Sequence, residues 1–453
     1  MEQQRIFKRK IYDALLEWKN APIHNSALLI EGARRIGKST IVREFAKNEY
    51  PDFIMVDFRT ESEDVKALFN NTKDLDAFYR NFFLLQNHVL KPGGLIIFDE
   101  IQFCPKAREA IKDFVADGRY AFIETGSLIS IKENTQGIMI PSEERRIEMH
   151  PMDFEEFLWA SEKNDSYPLL SEFLKRHEEV PQQIHREYME KFRTYMLVGG
   201  MPKVLSIFLE TNSFKLAEQE KEDILKLYRD DLRKHDDKHG TICGQLFDAI
   251  PAQLAKENRR FLLRSGADAG RYSKIEKSLH DLADFKIVTR IPYVVDMQPP
   301  LSLAQEEGRF KLYFCDTGLL LTKLAALSKQ NDGEAFFAFI KGRRSLNLGA
   351  LYESIVAQQL TAMGFALYYH KYQLADSEHG KSTIYELDLV AEEAFKPIAF
   401  EVKSAKTYTT ASLDHLKDKY PQLKIRRIVT GIKNLKYEGD KVTLPAYMIP
   451  LFF

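Results

Sequence analysis

The sequence predicts an α/β chain of several domains, led by a mainly parallel sheet and closed by a second, separate sheet. Three observations carry this prediction. An apolar run at 26–31 passes through a glycine-framed loop into an amphipathic helical pattern that ends near Tyr50. Apolar runs at 53–58, 94–98 and 120–127 then alternate with helical patterns at 73–90 and 106–116, and such βαβα alternation favours parallel strands. Beyond residue 350 a helical pattern is followed by three strand-like runs.

At 453 residues the chain is too long for one core, so two to four domains are expected. Its 44% hydrophobic and 29% charged residues are ordinary for a soluble globular protein. A net charge of −1 means that any nucleic-acid surface must be a local patch. Cys104, Cys243 and Cys315 lie far apart and form no C-x-x-C pair, which argues against a zinc ribbon and a disulfide framework and fits the cytoplasm. The apolar runs are far short of a membrane span, so no membrane partner is expected. The first 20 residues read as an amphipathic helix, since no apolar signal-peptide core follows the basic positions.

The first loop, Gly32-Ala33-Arg34-Arg35-Ile36-Gly37-Lys38-Ser39, matches G-x-x-x-x-G-K-S/T without a mismatch, and Thr40 continues it into the helix. These residue types suit a phosphate cradle, and the expected ligand is ATP with Mg²⁺. Gly32 and Gly37 let the backbone curl so that successive N–H groups converge on phosphate oxygens. Lys38 brings a positive charge to the β- and γ-phosphates, and Ser39 offers a hydroxyl to Mg²⁺. The helix that follows aims its positive end at the same anion. The run GGLIIFDEIQ ends in Asp99 and Glu100. Asp99 is expected to be the water-mediated Mg²⁺ partner, and Glu100 the group that activates the attacking water. Thr125 and Ser127 end the next strand, as γ-phosphate sensors or as a merely polar turn.

GARRIGKS, DEIQ, ETGS (124–127), PMDFEEF (151–157) and VGGMP (198–202) occur in an order that resembles a bacterial and archaeal group of AAA-type ATPases. That resemblance implies an ATPase core over 1–150 and a helical lid over 151–237. Arg145 and Arg146 are displaced from the Gly-Arg that relatives carry before the proline segment, which leaves an arginine finger unassigned.

Residues 238–312 read as helices followed by a hairpin from about Lys286, the order of a winged helix. Between Gln253 and Arg290 nine Lys or Arg stand against five Asp or Glu, an excess that suits phosphate contacts, with DNA expected before RNA. A solvated helix face and a protein-binding winged helix are the alternatives.

Residues 313–453 hold the helix LYESIVAQQLTAMGF and the runs ALYYHKY, STIYELDLVAEE and KPIAFEVKSA. Asp388 lies on the second run, Glu401 and Lys403 share a face of the third, and Glu353 sits on the helix. An oxygen-rich set with a lysine beside it suits Mg²⁺ or Mn²⁺. The arrangement resembles the PD-(D/E)XK nuclease superfamily, a restriction-endonuclease-like fold. There Asp388 and Glu401 would hold metal and position a water, with Lys403 assisting and Glu353 completing the catalytic set. Relatives of the ATPase group also carry such a C-terminal domain, of unknown function.

The expectation is therefore an ATP-hydrolysing protein acting on nucleic acid through a winged helix and a nuclease-like domain. The alternative is a regulatory NTPase switch on protein partners whose nuclease fold does not cut. Self-association is left open.

Overall fold

The computed structural model describes residues 5–21, 26–127, 142–162, 166–234, 240–254, 261–262, 269–327, 348–375 and 382–453. The chain divides into two compact units, Met1–Pro151 with Asp284–Lys286, and Met152–Ala283 with Ile287–Phe453.

The first unit contains α1 (Ile11–Lys19), β1 (Ala27–Glu31), α2 (Lys38–Glu49), β2 (Phe53–Asp57), α3 (Glu63–Leu68), α4 (Leu75–Leu85), β3 (Leu95–Asp99), α5 (Pro105–Glu109), α6 (Ile111–Asp117), β4 (Ala121–Gly126) and β5 (Glu144–Glu148). Its five strands are ordered β2-β3-β4-β1-β5, and every pair is parallel. Each residue of β1 and β3 is buried, which is why both read as unbroken apolar runs. One side of the sheet packs on an aromatic cluster in which Phe69, Phe78, Phe98 and Phe114 meet edge-on or tilted. The side chains of Ser62 and Asp74 cap α3 and α4, taking the otherwise unpaired Val65 and Ala77 amides. β5 is the strand that the sequence hid. Its residues, ERRIE, carry four charges and lie at the sheet edge beside β1.

The second unit opens with helices α7 (Phe154–Glu162), α8 (Ser171–Arg176), α9 (Gln182–Val198), α10 (Pro202–Thr211), α11 (Phe214–Lys234) and α12 (Gly240–Leu254). It continues through β6 (Phe261–Leu262), α13 (Ala269–Asp284), β7 (Val288–Val294), β8 (Gln305–Phe314), α14 (Thr317–Leu327) and α15 (Leu348–Ala362). It ends with β9 (Tyr368–Ala375), β10 (Ser382–Glu393), β11 (Lys396–Lys403), α16 (Ala411–Asp414), α17 (Leu416–Lys419), β12 (Arg426–Gly431), β13 (Lys436–Glu438), β14 (Lys441–Pro445) and α18 (Ile449–Phe452).

The hairpin expected as the wing, β7–β8, is joined to the C-terminal strands. β7 pairs in parallel with β9, Tyr293 opposite Tyr369, and one sheet of nine strands results, ordered β13-β14-β12-β11-β10-β9-β7-β8-β6. The expected boundary near residue 312 therefore falls inside a continuous sheet. Segments 255–260 and 263–268, with much of the expected basic surface, lie outside the described residues.

The helical segment expected as a lid belongs to this second unit from Met152 onward. Buried hydrogen bonds tie it to the rest of the unit. Tyr167 donates to the Tyr447 carbonyl at 2.6 Å, and Tyr195 donates to the Met152 carbonyl at 2.8 Å while receiving Gln358 of α15 at 3.0 Å. The VGGMP turn acquires a physical role here. The Gly200 amide donates to Asp316 at 2.6 Å, and a Cβ on Gly200 would lie 2.2 Å from the Met152 carbonyl oxygen. Only glycine permits that approach. Among the described residues no helix is long and apolar enough to cross a membrane.

Candidate functional site

The phosphate loop lies between the end of β1 and the start of α2. Gly32 is fixed by close packing, since a Cβ there would stand 2.3 Å from the Met149 carbonyl oxygen. Gly37 precedes α2 with φ of 95°. Lys38 is buried, and its ammonium donates to the carbonyls of Gly32 at 2.9 Å and Ala33 at 2.8 Å. Those oxygens occupy the ammonium where phosphate oxygens would in a nucleotide complex. Burial lowers the Lys38 pKa to about 8, with Glu100 and Asp99 holding it up.

Parallel order puts β4 between the loop strand β1 and the acidic strand β3. The C-terminal ends of all three therefore converge beside the helix start. Ser39 Oγ donates to Asp99 Oδ1 at 2.7 Å, and Thr125 of β4 donates to the same oxygen. Of the two candidate sensors, Thr125 is thus in contact with the acidic strand. Glu100 has φ 54° and ψ 50°, a conformation sparsely populated outside glycine. Gln102 Nε2 holds its carboxylate at 2.5 Å. Hydroxyl, carboxylate and ammonium from Ser39, Asp99 and Lys38 form a donor set that fits Mg²⁺ and a triphosphate.

Two features of this site were not legible in the sequence. Arg9, buried ahead of α1, donates to the Ile36 carbonyl at 2.8 Å and to the His150 carbonyl at 2.6 Å, which ties the loop to the segment after β5. A lone basic residue in a basic N-terminal stretch gives no signal of this. The second feature is a buried charge cluster around β5. Arg108 makes a bidentate pair with Glu144, 2.9 Å on each arm, and Arg146 adds a third contact at 2.9 Å. Glu124 of β4 is fully buried beside Glu144. Burial and that like charge push its carboxyl well above the usual range.

In the second unit, β10 and β11 run antiparallel with Leu389 opposite Phe400, which brings Asp388 to the level of Glu401. The pairing of β10 with β9 shifts register between Leu387 and Val390, at the position of Asp388. Asp388 Oδ2 accepts the Val402 amide at 2.7 Å. Glu401 is buried and receives Lys403 and the Ser412 hydroxyl. Burial, with Asp388 beside it, raises its carboxyl to about 7. Glu353 also is buried, takes the Tyr313 hydroxyl at 2.6 Å and stands 3.7 Å from Lys311 Nζ. Lys311, which the sequence reading missed, connects these elements. It is 1% exposed, donates to the Asp388 carbonyl at 3.1 Å and pairs with Glu386 at 3.1 Å. Among the described residues, no group of three or more Asp, Glu, His or Cys converges on a metal-sized site. A cation here would rest, among side chains, on Asp388 and Glu401.

A P-loop on a parallel sheet, with a carboxylate strand one position removed, defines a nucleotide-binding ATPase fold. Residues 24–158 match the family described as AAA domain, so the chain carries an AAA-type P-loop ATPase domain. Residues 189–331 and 348–449 match two families described only as domains of unknown function, DUF8612 and DUF4143. No curated protein matches the chain. Solved structures similar to it include the Walker-type ATPase PABY2304 of Pyrococcus abyssi, at 16% identity and TM-score 0.42, covering 71% of this chain and 98% of that one. The Hsp104–ADP complex of S. cerevisiae matches at 9% identity and TM-score 0.28, covering 80% of this chain and 44% of that one. PCH-2 of C. elegans matches at 11% and 0.21, covering 44% and 59%.

Proposed function

We propose that the protein binds and hydrolyses ATP in its first unit and uses that cycle to act on nucleic acid through its second. The observation that supports the first half is the convergence of Lys38, Ser39, Asp99 and Glu100 at the ends of β1 and β3. Lys38 would exchange its loop carbonyls for phosphate oxygens, a charge-assisted contact of about 1.5–3 kcal/mol. Ser39 and Asp99 would hold Mg²⁺, which neutralises charge on the β- and γ-phosphates when bound. Glu100, oriented by Gln102, would position the attacking water and accept its proton. Thr125 would report phosphate occupancy through the oxygen of Asp99 that it shares with Ser39.

The second half is supported by Asp388 and Glu401 meeting across β10 and β11 with Lys403 on Glu401. Two carboxylates and a lysine suit a divalent cation that makes water nucleophilic beside a phosphodiester. Lys311 would keep Glu353 and the β10 backbone in place around that pair.

The deciding experiment incubates the purified protein with plasmid, single-stranded DNA and RNA, with Mg²⁺ or Mn²⁺, with and without ATP. Cleavage that is lost in Glu401→Ala while ATP hydrolysis persists is the expected result. Intact nucleic acid under every metal, with ATP hydrolysis present, would leave the domain a nuclease fold used for binding, and the switch on protein partners would replace this reading.

A further inference from the structure

The C-terminal ends of β11 and β12 border a groove of about 960 Å³, whose opposite side is α9 and the turn between α10 and α11. Arg186 and Arg193 reach it from α9, Lys406 from the loop after β11, and Lys433 from the loop after β12. The acidic residue lining it is Glu190. Surface cations in this protein are commonly ion-paired, as Lys175 is with Glu172 and Lys191 with Glu187. None of these four has a carboxylate partner among the described residues. Arg186 turns back only to its own helix, at the Gln182 carbonyl, and Lys433 lies 4.0 Å over the Tyr408 ring. Unneutralised positive charge gathered in a concave surface is an anion-binding arrangement.

The remaining lining narrows the class of anion. Phe208 and Phe214 stand at the turn, half-buried, with ring centroids 4.7 Å apart and planes 40° from each other. Cations tracking a backbone, with aromatic faces alongside, is how a single strand with unstacked bases is held. A duplex would keep its bases stacked and offer the rings nothing. The groove also begins where β11, the strand of Glu401 and Lys403, ends: the Ile432 amide donates to the Lys403 carbonyl at 3.4 Å, and both neighbouring loops carry groove lysines.

We propose that this groove binds single-stranded nucleic acid, with Arg186, Arg193, Lys406 and Lys433 on phosphates and Phe208 and Phe214 against bases. The proposal rests on the nucleic-acid reading above but assigns it to a surface other than α13. The test is fluorescence anisotropy of a labelled oligo(dT) strand with the full chain at several salt concentrations. Arg186→Glu, Lys406→Glu and Lys433→Glu together should weaken binding at least about 30-fold and flatten the log K against log salt slope by about 2, three phosphates at about 0.7 each. Phe208→Leu with Phe214→Leu should weaken binding about 10-fold and leave the slope unchanged. Circular dichroism and melting report folding, and the single exchange Lys406→Glu, in an exposed loop, should weaken binding about 5-fold if the triple variant fails to fold. If the wild type binds and all variants bind equally, the groove assignment fails while the nucleic-acid reading stands on another surface. If the wild type binds no strand at low salt, the groove proposal falls, and the nucleic-acid reading is decided by the plasmid and RNA arms of the cleavage experiment. If poly-glutamate binds as tightly as the strand and the phenylalanine exchanges have no effect, the occupant is an acidic polypeptide and the proposal is overturned.

Discussion

Ser39 Oγ donates to Asp99 Oδ1 at 2.7 Å across 60 residues of sequence, and Thr125 donates to the same oxygen. Helix start, acidic strand and the strand between them are thereby joined at one atom. A ligand that engages Ser39 must change what Asp99 and Thr125 hold.

Lys38→Ala should raise the Kd for ATP about 100-fold, measured by calorimetry. The ammonium is the charged group that two loop carbonyls now occupy and that phosphates would take over. Undiminished affinity would remove the loop from nucleotide binding.

Glu100→Gln should keep ATP affinity and slow hydrolysis by about 100-fold or more, since an amide cannot take the proton of the attacking water. Phosphate release under saturating ATP is the measurement. A wild-type rate would shift the role to another group.

Arg9→Ala should raise the Kd for ATP about 10-fold. Two hydrogen bonds that fix the Ile36 and His150 carbonyls are lost, at about 1.5–3 kcal/mol for a charged donor. Titration of labelled ATP by the variant, against a melting curve that shows a folded protein, separates loop order from global stability.

Glu124→Gln should stabilise the first unit at pH 8 and leave it unchanged near pH 4. Burial holds the proton on the folded carboxyl to higher pH than in the unfolded chain, which releases it as pH rises through about 4.5. Folded protein therefore binds more protons above that pH, and its stability falls as pH increases. Glutamine removes the ionisation at similar size. Melting temperatures compared across pH 4–8 test this, and a difference that does not grow with pH would count against a raised Glu124 carboxyl.

Gly200→Ala should lower the melting temperature of the second unit by several degrees, for a cost of about 2 kcal/mol or more. The added methyl would meet the Met152 carbonyl oxygen at 2.2 Å and its amide nitrogen at 2.8 Å. An unchanged melt would mean that the VGGMP turn has room to shift.

The sequence by itself determined the phosphate loop, the acidic strand end and the parallel sheet around them. Each is local: a loop whose residue types are dictated by phosphate chemistry, and apolar runs whose period is set by burial on both faces. The placement of Asp388 across from Glu401, with Lys403 on the same face, was legible for the same reason, since period-two strands fix which residues share a face. Tertiary structure alone decided the rest. β5 carries the charges ERRIE yet adds a strand beside β1, because its partners are backbone groups and because Arg108 neutralises Glu144 from a helix 36 residues away. Arg9 reaches the loop, Lys311 links Glu353 to β10, and the expected wing continues the C-terminal sheet through β7 and β9. Contacts of that kind depend on which surfaces meet after the elements form. No residue spacing encodes them, so they became visible only when distant segments were brought within hydrogen-bonding distance.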